Sequence, residues 1–144
     1  IDLSKIKIYP KVLITLDDKS LSKINFNKIK NKYNLNLYNK FEKDHQKFLE
    51  VYNECRYLLY LSSNETIGLP ILEAYSYGLQ TIVPNLKYSS QFISPDYLFD
   101  LDSKKEITNI IIKCLNQSQN TKNNKDFKYL KNSISIDEFV NNIL

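Results

Sequence analysis

The chain has 144 residues, of which 42% are hydrophobic and 25% are charged, and this suits one globular domain with a core of ordinary size. It contains no run of about 18 apolar residues, which excludes a membrane-spanning helix within it. The net charge is +4, but Arg56 is the only arginine among the 20 basic residues. Because base recognition favours arginine, we expect no nucleic-acid partner.

The sequence contains no methionine, so we expect it to be a fragment of a longer protein. Cys55 and Cys114 both fall at apolar positions of predicted helices, which favours buried reduced thiols over a disulfide. Reduced thiols fit a reducing compartment, so we expect the protein to be cytoplasmic.

Short apolar runs alternate with amphipathic stretches in the first part of the chain. In order, the predicted elements are a strand at Lys11–Leu16, a helix at Ser20–Tyr33, a strand at Leu35–Tyr38, a loop at Asn39 and Lys40, and a helix at Asp44–Cys55. The last of these is the clearest, because Phe48, Val51, Tyr52 and Cys55 recur at helical spacing. Lysines crowd the Ser20–Tyr33 segment, which is typical of a solvated helix face; contact with an anionic membrane is the alternative.

The second part of the chain continues the alternation. Its predicted elements are a strand at Tyr57–Leu61, a helix that begins after Gly68, a strand at Thr81–Val83, an irregular connection at Asn85–Pro95, a strand at Tyr97–Leu101, a helix from Ser103, a surface connection at 116–126 and a last helix from Ser135. Ser103 with Glu106, and Ser135 with Glu138, have the spacing of a capping box. The alternation predicts an α/β fold, a single domain over residues 1–144 whose parallel sheet has helices on both faces.

Both glycines of the chain lie in one stretch, Asn64–Gly78. Gly68 precedes Pro70, which is favoured at the first helical position, and Gly78 falls where a short helix would end. A tight loop and a helix N-terminus therefore follow a buried strand, at the edge of the sheet where ligands of parallel α/β folds bind. Backbone N–H groups at such a helix start suit a phosphate group.

Two glutamates flank this helix start, Glu65 in the loop and Glu73 about one turn into the helix. Their carboxylates can accept hydrogen bonds from sugar hydroxyls. A diphosphate at the helix start, with a ribose on one carboxylate and a hexose on the other, would make the ligand a nucleotide-diphosphate sugar. The alternative is an ordinary loop, since glycine and proline at a helix start are common in α/β domains.

Seven residues separate Glu65 from Glu73, with Gly68-Leu69-Pro70 between them and Gly78 after them. This pattern resembles the E-x7-E signature of retaining glycosyltransferases with the GT-B fold, most closely the large family-4 group. The similarity extends from about Phe48 to Leu115. It implies that residues 1–144 are one half of a GT-B fold, a single Rossmann-like domain that binds the nucleotide-sugar donor. The amino-terminal acceptor domain that would be its partner is not part of these residues.

The resemblance also implies an activity and a set of donor-binding residues. The activity is hexosyl transfer with retention in surface polysaccharide or lipopolysaccharide synthesis, and the isolated fragment is expected to be inactive. Glu73 would bind the ribose hydroxyls, and Glu65 would contact the transferred sugar as an electrostatic or positioning catalytic residue. The full donor-binding set is Glu65, Thr66, Ile67, Gly68, Leu69 and Glu73, where the amides of Ile67, Gly68 and Leu69 approach the diphosphate or the sugar.

Asn39 and Lys40 would lie near the base, although a plain surface turn is the alternative for them. The resemblance implies no metal and no cofactor beyond the donor itself. It places the enzyme in the cytoplasm at the inner face of the membrane, with peripheral membrane contact through the acceptor domain.

The chain departs from the family pattern at several positions. Ile67 stands where an aromatic residue is usual, Leu61 precedes Ser62 in place of a proline, and Gln80 replaces a proline after the helix. The family's Gly-Arg and Lys, which neutralise the leaving diphosphate, have no counterpart in the sequence. Two alternatives therefore stay open: a sugar-nucleotide epimerase-like GT-B protein, and a non-catalytic nucleotide-binding or interaction module of the same fold.

Overall fold

A computed structural model of the chain describes residues 10–32 and 36–117. Within them the strands pair in parallel and are flanked by helices, which confirms the predicted α/β class. The strands form two small sheets, one of two strands and one of three. The described residues also fall into two compact units, 10–51 with 111–117 and 52–110. The predicted helix from Ser135 and most of the 116–126 connection lie outside the described residues.

The first unit contains the two-stranded sheet. Its elements are β1 (Val12–Ile14), α1 (Asp18–Lys23), α2 (Phe26–Lys32), β2 (Leu37–Asn39) and α3 (His45–Glu50). Val12 lies opposite Leu37, and Ile14 lies opposite Asn39. The Lys11 and Lys30 ammonium groups lie 5.3 and 5.1 Å from the centre of the Tyr38 ring, within the range of cation–π attraction.

The helix predicted over Ser20–Tyr33 is interrupted at Ile24. Asp17 caps α1 through its carboxylate, and Ile24 then takes an extended conformation with φ −111° and ψ 140°. The Asn25 side chain accepts a hydrogen bond from the Lys28 amide at 3.0 Å, as an N-cap residue does. A second helix therefore starts three residues after the first one ends, because an asparagine cap competes with helix continuation.

The helix predicted over Asp44–Cys55 begins where expected but changes form midway. Asp44 caps α3 by accepting from the Lys47 amide. From Val51 to Glu54 the backbone is a 3₁₀ helix, the tighter form that often ends an α-helix. Val51 and Tyr52 on this turn are both buried, as the apolar stripe predicted.

The second unit contains the three-stranded sheet in the order β3–β4–β5. Its elements are β3 (Tyr57–Leu59), α4 (Leu69–Ser76), β4 (Gln80–Pro84), β5 (Tyr97–Phe99) and α5 (Lys104–Asn116), of which residues 104–110 belong to this unit. Ile82 and Val83 on β4 are 3% and 0% exposed. Since neighbouring strand residues point to opposite faces, both faces of this central strand are covered. The core around it includes Ile71, Leu72, Tyr75, Tyr88 and Ile93.

Gly78 ends α4 as the sequence predicted. Its φ is +76°, in the left-handed region that glycine adopts at little cost. The Gly78 amide donates to Tyr75 O, and the Leu79 amide donates to Ala74 O. This pair of bonds is a Schellman motif, which stops the helix and directs the chain into β4.

The capping box predicted for α5 is half formed. Ser103 Oγ accepts from the Glu106 amide at 3.3 Å, and the helix begins at Lys104. The Glu106 carboxylate, however, accepts from the Asp100 amide at 2.8 Å, in the turn that follows β5. Cys114 is buried in this helix, and no disulfide joins it to Cys55.

Asp96 links the start of β5 to β4. Its Oδ2 accepts from the Thr81 amide at 2.8 Å and from the Thr81 hydroxyl at 3.1 Å, and Thr81 is fully buried. We expect Asp96→Ala to lower the free energy of unfolding by about 1–3 kcal/mol, because it removes the acceptor of two buried donors. Urea unfolding would measure this loss, with Asp102→Ala at an exposed position as the control. Equal losses in the two variants would contradict the prediction.

Candidate functional site

The loop after β3 carries the first predicted site residue, Glu65. Its side chain is exposed, and its Oε1 accepts a hydrogen bond from the Tyr60 hydroxyl at 2.5 Å. Tyr60 follows the end of β3, and its amide donates to Ile82 O of the central strand. The sheet therefore fixes the backbone of Tyr60, and the Tyr60 hydroxyl holds the Glu65 carboxylate near the carboxyl end of the strand.

Gly68 is the N-cap of α4 and has φ +71° and ψ 49°, which is the left-handed conformation. A β-carbon built on it would lie 3.1 Å from Ile71 Cδ1 and 3.1 Å from Tyr88 Cδ2. The glycine is thus required twice, for its backbone angle and for the space that these two side chains fill. Pro70 is the second residue of α4, one position later than predicted.

The backbone N–H groups at this helix start are the ones that the resemblance assigns to the diphosphate or the sugar. In the described part of the chain, no acceptor is found for the N–H groups of Ile67, Gly68 and Leu69, and Gly68 has no side chain to cap the helix. Ile67 and Leu69 are half-buried, whereas Gly68 itself is buried. Thr66, the remaining predicted residue of this loop, is exposed.

Glu73 lies within α4, which is buried continuously from Ile71 to Tyr75. It is only 7% exposed and is the one buried charged residue among those the structure describes. Its Oε2 accepts from the Tyr52 hydroxyl at 3.2 Å, and Tyr52 is itself 6% exposed. Burial, with the adjacent Glu73 carboxylate as the next cause, raises the pKa of Tyr52 well above its usual value, so the phenol stays protonated and donates.

Two tyrosines contact the loop that carries Glu65: Tyr60 bonds to Glu65 itself, and Tyr88 bonds to Ser62. The Tyr60 ring also meets the Tyr88 ring edge-on, with 6.5 Å between centroids and 84° between planes. The Tyr88 hydroxyl donates to Ser62 O at 2.5 Å, which ties the loop after β3 to the segment after β4. Tyrosines therefore surround the loop that carries Glu65.

Asn39 and Lys40, the residues predicted to lie near a base, belong to the first unit. The Asn39 carboxamide accepts from the Leu16 amide at 3.0 Å and donates to Leu16 O at 2.9 Å. The Lys40 amide donates to Ile14 O. The Asn39 side chain thus fastens the chain that leaves β1 to the end of β2, which is a structural use of the residue.

An open depression of about 480 Å³ lies along β5 and the first turns of α5. Asp96, Leu98, Lys105 and Asn109 are among the residues that line it. It contains none of the residues predicted from the sequence to bind the donor. No helix in residues 10–32 and 36–117 has the length and apolarity needed to cross a bilayer. The same residues hold no group of three or more His, Cys, Asp or Glu placed to bind a metal ion.

Sequence reasoning missed Tyr52, Tyr60 and Tyr88 as residues of this region. Tyr52 fits the apolar stripe of a helix, and Tyr60 fits a buried strand, so periodicity treats both as core. One signal was present for Tyr60, because a tyrosine next to the carboxyl end of a predicted parallel strand lies near the edge where ligands bind. No comparable signal marks Tyr52 or Tyr88.

Comparison of the chain with protein-family models, with curated proteins and with solved structures found no match to any of them. The class of protein is therefore defined by the fold and the local geometry: an α/β protein with parallel strands in two small sheets.

Proposed function

We propose that this chain is the donor-binding half of a retaining glycosyltransferase and that it binds a nucleotide-diphosphate sugar. The loop 62–68 and the start of α4 would hold the diphosphate and the sugar, and Glu73 would hold the ribose. The proposal includes an amino-terminal acceptor-binding half elsewhere in the protein, and action in the cytoplasm at the inner face of the membrane.

One observation carries the proposal: two glutamates on either side of Gly68 in the sequence are each held by a tyrosine hydroxyl. Burial of a carboxylate is costly unless it is well paired, and Glu73 inside α4 is paired with the Tyr52 hydroxyl. Glu65 lies exposed at the carboxyl end of β3 and is paired with the Tyr60 hydroxyl. Polar groups at this edge of a parallel sheet are typical of a ligand site.

The chemistry would be transfer of the sugar, with retention, to an acceptor hydroxyl: the anomeric carbon loses its bond to the diphosphate and gains one to the acceptor oxygen, and the acceptor's proton passes to the released nucleoside diphosphate. Positioning of the donor and stabilisation of charge on the leaving group would supply most of the rate. The backbone N–H groups of Ile67 and Leu69, for which no acceptor is found among the described residues, would donate to the diphosphate. Glu65 would orient the sugar by accepting from one of its hydroxyls.

The side chains packed over Gly68 favour a second function. Tyr88 and Ile71 fill the space beside this glycine, and the residue is buried. A protein of the same fold that uses this segment only for packing would have the same arrangement of side chains around Gly68. The alternative is therefore a non-catalytic nucleotide-binding or interaction module.

Binding measurements test the proposed function. Calorimetric titration of the chain with UDP-glucose, GDP-mannose and ADP-glucose, and with the matching nucleoside diphosphates, would detect a donor site. We expect one nucleotide sugar to bind and to bind more tightly than its diphosphate, because the sugar adds contacts to Glu65. A chain that binds none of the six compounds would contradict the proposal.

Glu65→Gln tests the sugar contact. Because hydrogen bonds to a charged group contribute about 1.5–3 kcal/mol, we expect the affinity for the nucleotide sugar to fall by roughly ten- to a hundredfold. The thermal midpoint should stay unchanged, since the side chain is exposed. The matched control is Glu50→Gln, which neutralises an exposed glutamate elsewhere, on α3. The same affinity in both variants would remove Glu65 from the site.

A further inference from the structure

The Tyr60 hydroxyl is the feature of this region that packing does not explain. Tyr60 is half-buried, and its ring packs against the core cluster around Ile71 and Val83. Phenylalanine would pack there equally well. The hydroxyl extends to the Glu65 carboxylate at 2.5 Å, which is exposed and could be hydrated by water instead. A hydrogen bond at the surface adds little to stability, so its purpose lies in the position of the carboxylate.

The geometry fixes the donor oxygen on several sides. The Tyr60 backbone is bonded to Ile82 O, and its ring is held edge-on by the Tyr88 ring. Tyr88 in turn is bonded to Ser62 O, two residues after Tyr60. A phenol anchored in this way can hold Glu65 in one rotamer, whereas a free glutamate on a loop samples several.

We infer that Tyr60 is a positioning residue: its hydroxyl holds one oxygen of Glu65 so that the other oxygen faces a hydroxyl of the transferred sugar. This inference rests on the proposed function. Tyr60 does not touch the donor and acts through Glu65 alone. Burial, and after it the bond to Glu65, raises the pKa of Tyr60 above its usual value, so the phenol remains a donor throughout the neutral pH range.

The inference also predicts which part of the ligand depends on Tyr60 for its binding. Glu65 is assigned to the sugar and Glu73 to the ribose, and the two carboxylates have separate tyrosine partners. Loss of the Tyr60 hydroxyl should therefore weaken the hold on the sugar and leave the hold on the nucleoside diphosphate unchanged. A tyrosine with a merely structural role would affect both ligands alike.

The test is Tyr60→Phe, made alone and together with Glu65→Gln, in the full 144-residue chain. Calorimetry would measure binding of UDP-glucose, GDP-mannose and ADP-glucose against UDP, GDP and ADP. For the pair that binds, we expect Tyr60→Phe to lower the affinity for the nucleotide sugar about fivefold, with the diphosphate unchanged. In the double variant, Tyr60→Phe should add nothing to the loss caused by Glu65→Gln, because the two residues act as one unit. Tyr57→Phe on β3 is the matched control and should change neither affinity.

Each other outcome overturns the inference in a distinguishable way. Equal losses for nucleotide sugar and diphosphate would assign Tyr60 a structural role and leave the proposed function standing. Additive losses in the double variant, or no loss in Tyr60→Phe, would show that Glu65 is positioned without it. If the unmodified chain binds none of the six compounds, the proposed function fails and the positioning role fails with it.

Discussion

Glu73→Leu is expected to lower the affinity for the nucleotide sugar by at least about a hundredfold and to destabilise the fold by about 2 kcal/mol. If Glu73 binds the ribose as proposed, the affinity falls because two hydrogen bonds from ribose hydroxyls to a charged acceptor are lost together. The stability falls because the buried Tyr52 hydroxyl loses its carboxylate acceptor. Calorimetric titration would measure the first change and urea unfolding the second.

The double variant Tyr52→Phe/Glu73→Leu separates binding from folding. Replacing both partners of a buried polar pair with apolar groups of similar shape is often close to neutral for stability. We therefore expect the double variant to regain most of the stability lost in Glu73→Leu while the nucleotide sugar still fails to bind. If binding returns together with stability, Glu73 holds the fold and not the ribose, and the proposed function loses its main support.

Gly68→Val is expected to lower the free energy of unfolding by about 3 kcal/mol. A β-branched residue at φ +71° is strained, at a cost of about 1–2 kcal/mol. Its β-carbon would also lie 3.1 Å from both Ile71 and Tyr88, and such overpacking adds about 1–3 kcal/mol. The Tyr88 ring would have to move, so the loop that carries Glu65 should change as well.

Thr66→Val is the control for this substitution. It introduces the same side chain into the same loop, but at an exposed position. Its effect should stay within about 0.5 kcal/mol. Urea unfolding of the two variants gives the comparison. A similar, small loss in both would mean that the segment around Gly68 rearranges freely, and that the left-handed cap is not required.

Local features of this chain follow directly from its sequence. The strand–loop–Gly–helix–Gly order, the Schellman end at Gly78 and the Ser103 cap of α5 are all found in the structure. The two helix boundaries depend on residues within about one turn of one another, and the order of elements depends on the local hydrophobic pattern, so residue type and spacing are sufficient to predict them. The break at Ile24 is also local, but the segment contains several asparagines and lysines, and the sequence did not indicate that Asn25 would cap a second helix.

Pairings between distant segments follow a different rule. The Tyr52 hydroxyl donates to Glu73, which is 21 residues away in the sequence, and the Tyr88 hydroxyl donates to Ser62 O, which is 26 residues away. No periodicity encodes such a pair, because a tyrosine in an apolar stripe looks like any other core residue until its hydroxyl finds an acceptor. The cover over Gly68 is of the same kind, since it depends on where the Tyr88 ring lies after folding.

The sequence by itself determined the α/β class, the position of the loop and helix start after β3, and the two glutamates that bracket them. Hydrophobic period, glycine placement and capping residues act over a few neighbours, and these suffice for such features. Only the tertiary structure decided that Glu73 is buried and held by Tyr52, that Glu65 is exposed and held by Tyr60, and that the strands divide between two sheets. Those outcomes depend on which side chains meet when the elements pack, and packing is a property of the whole fold.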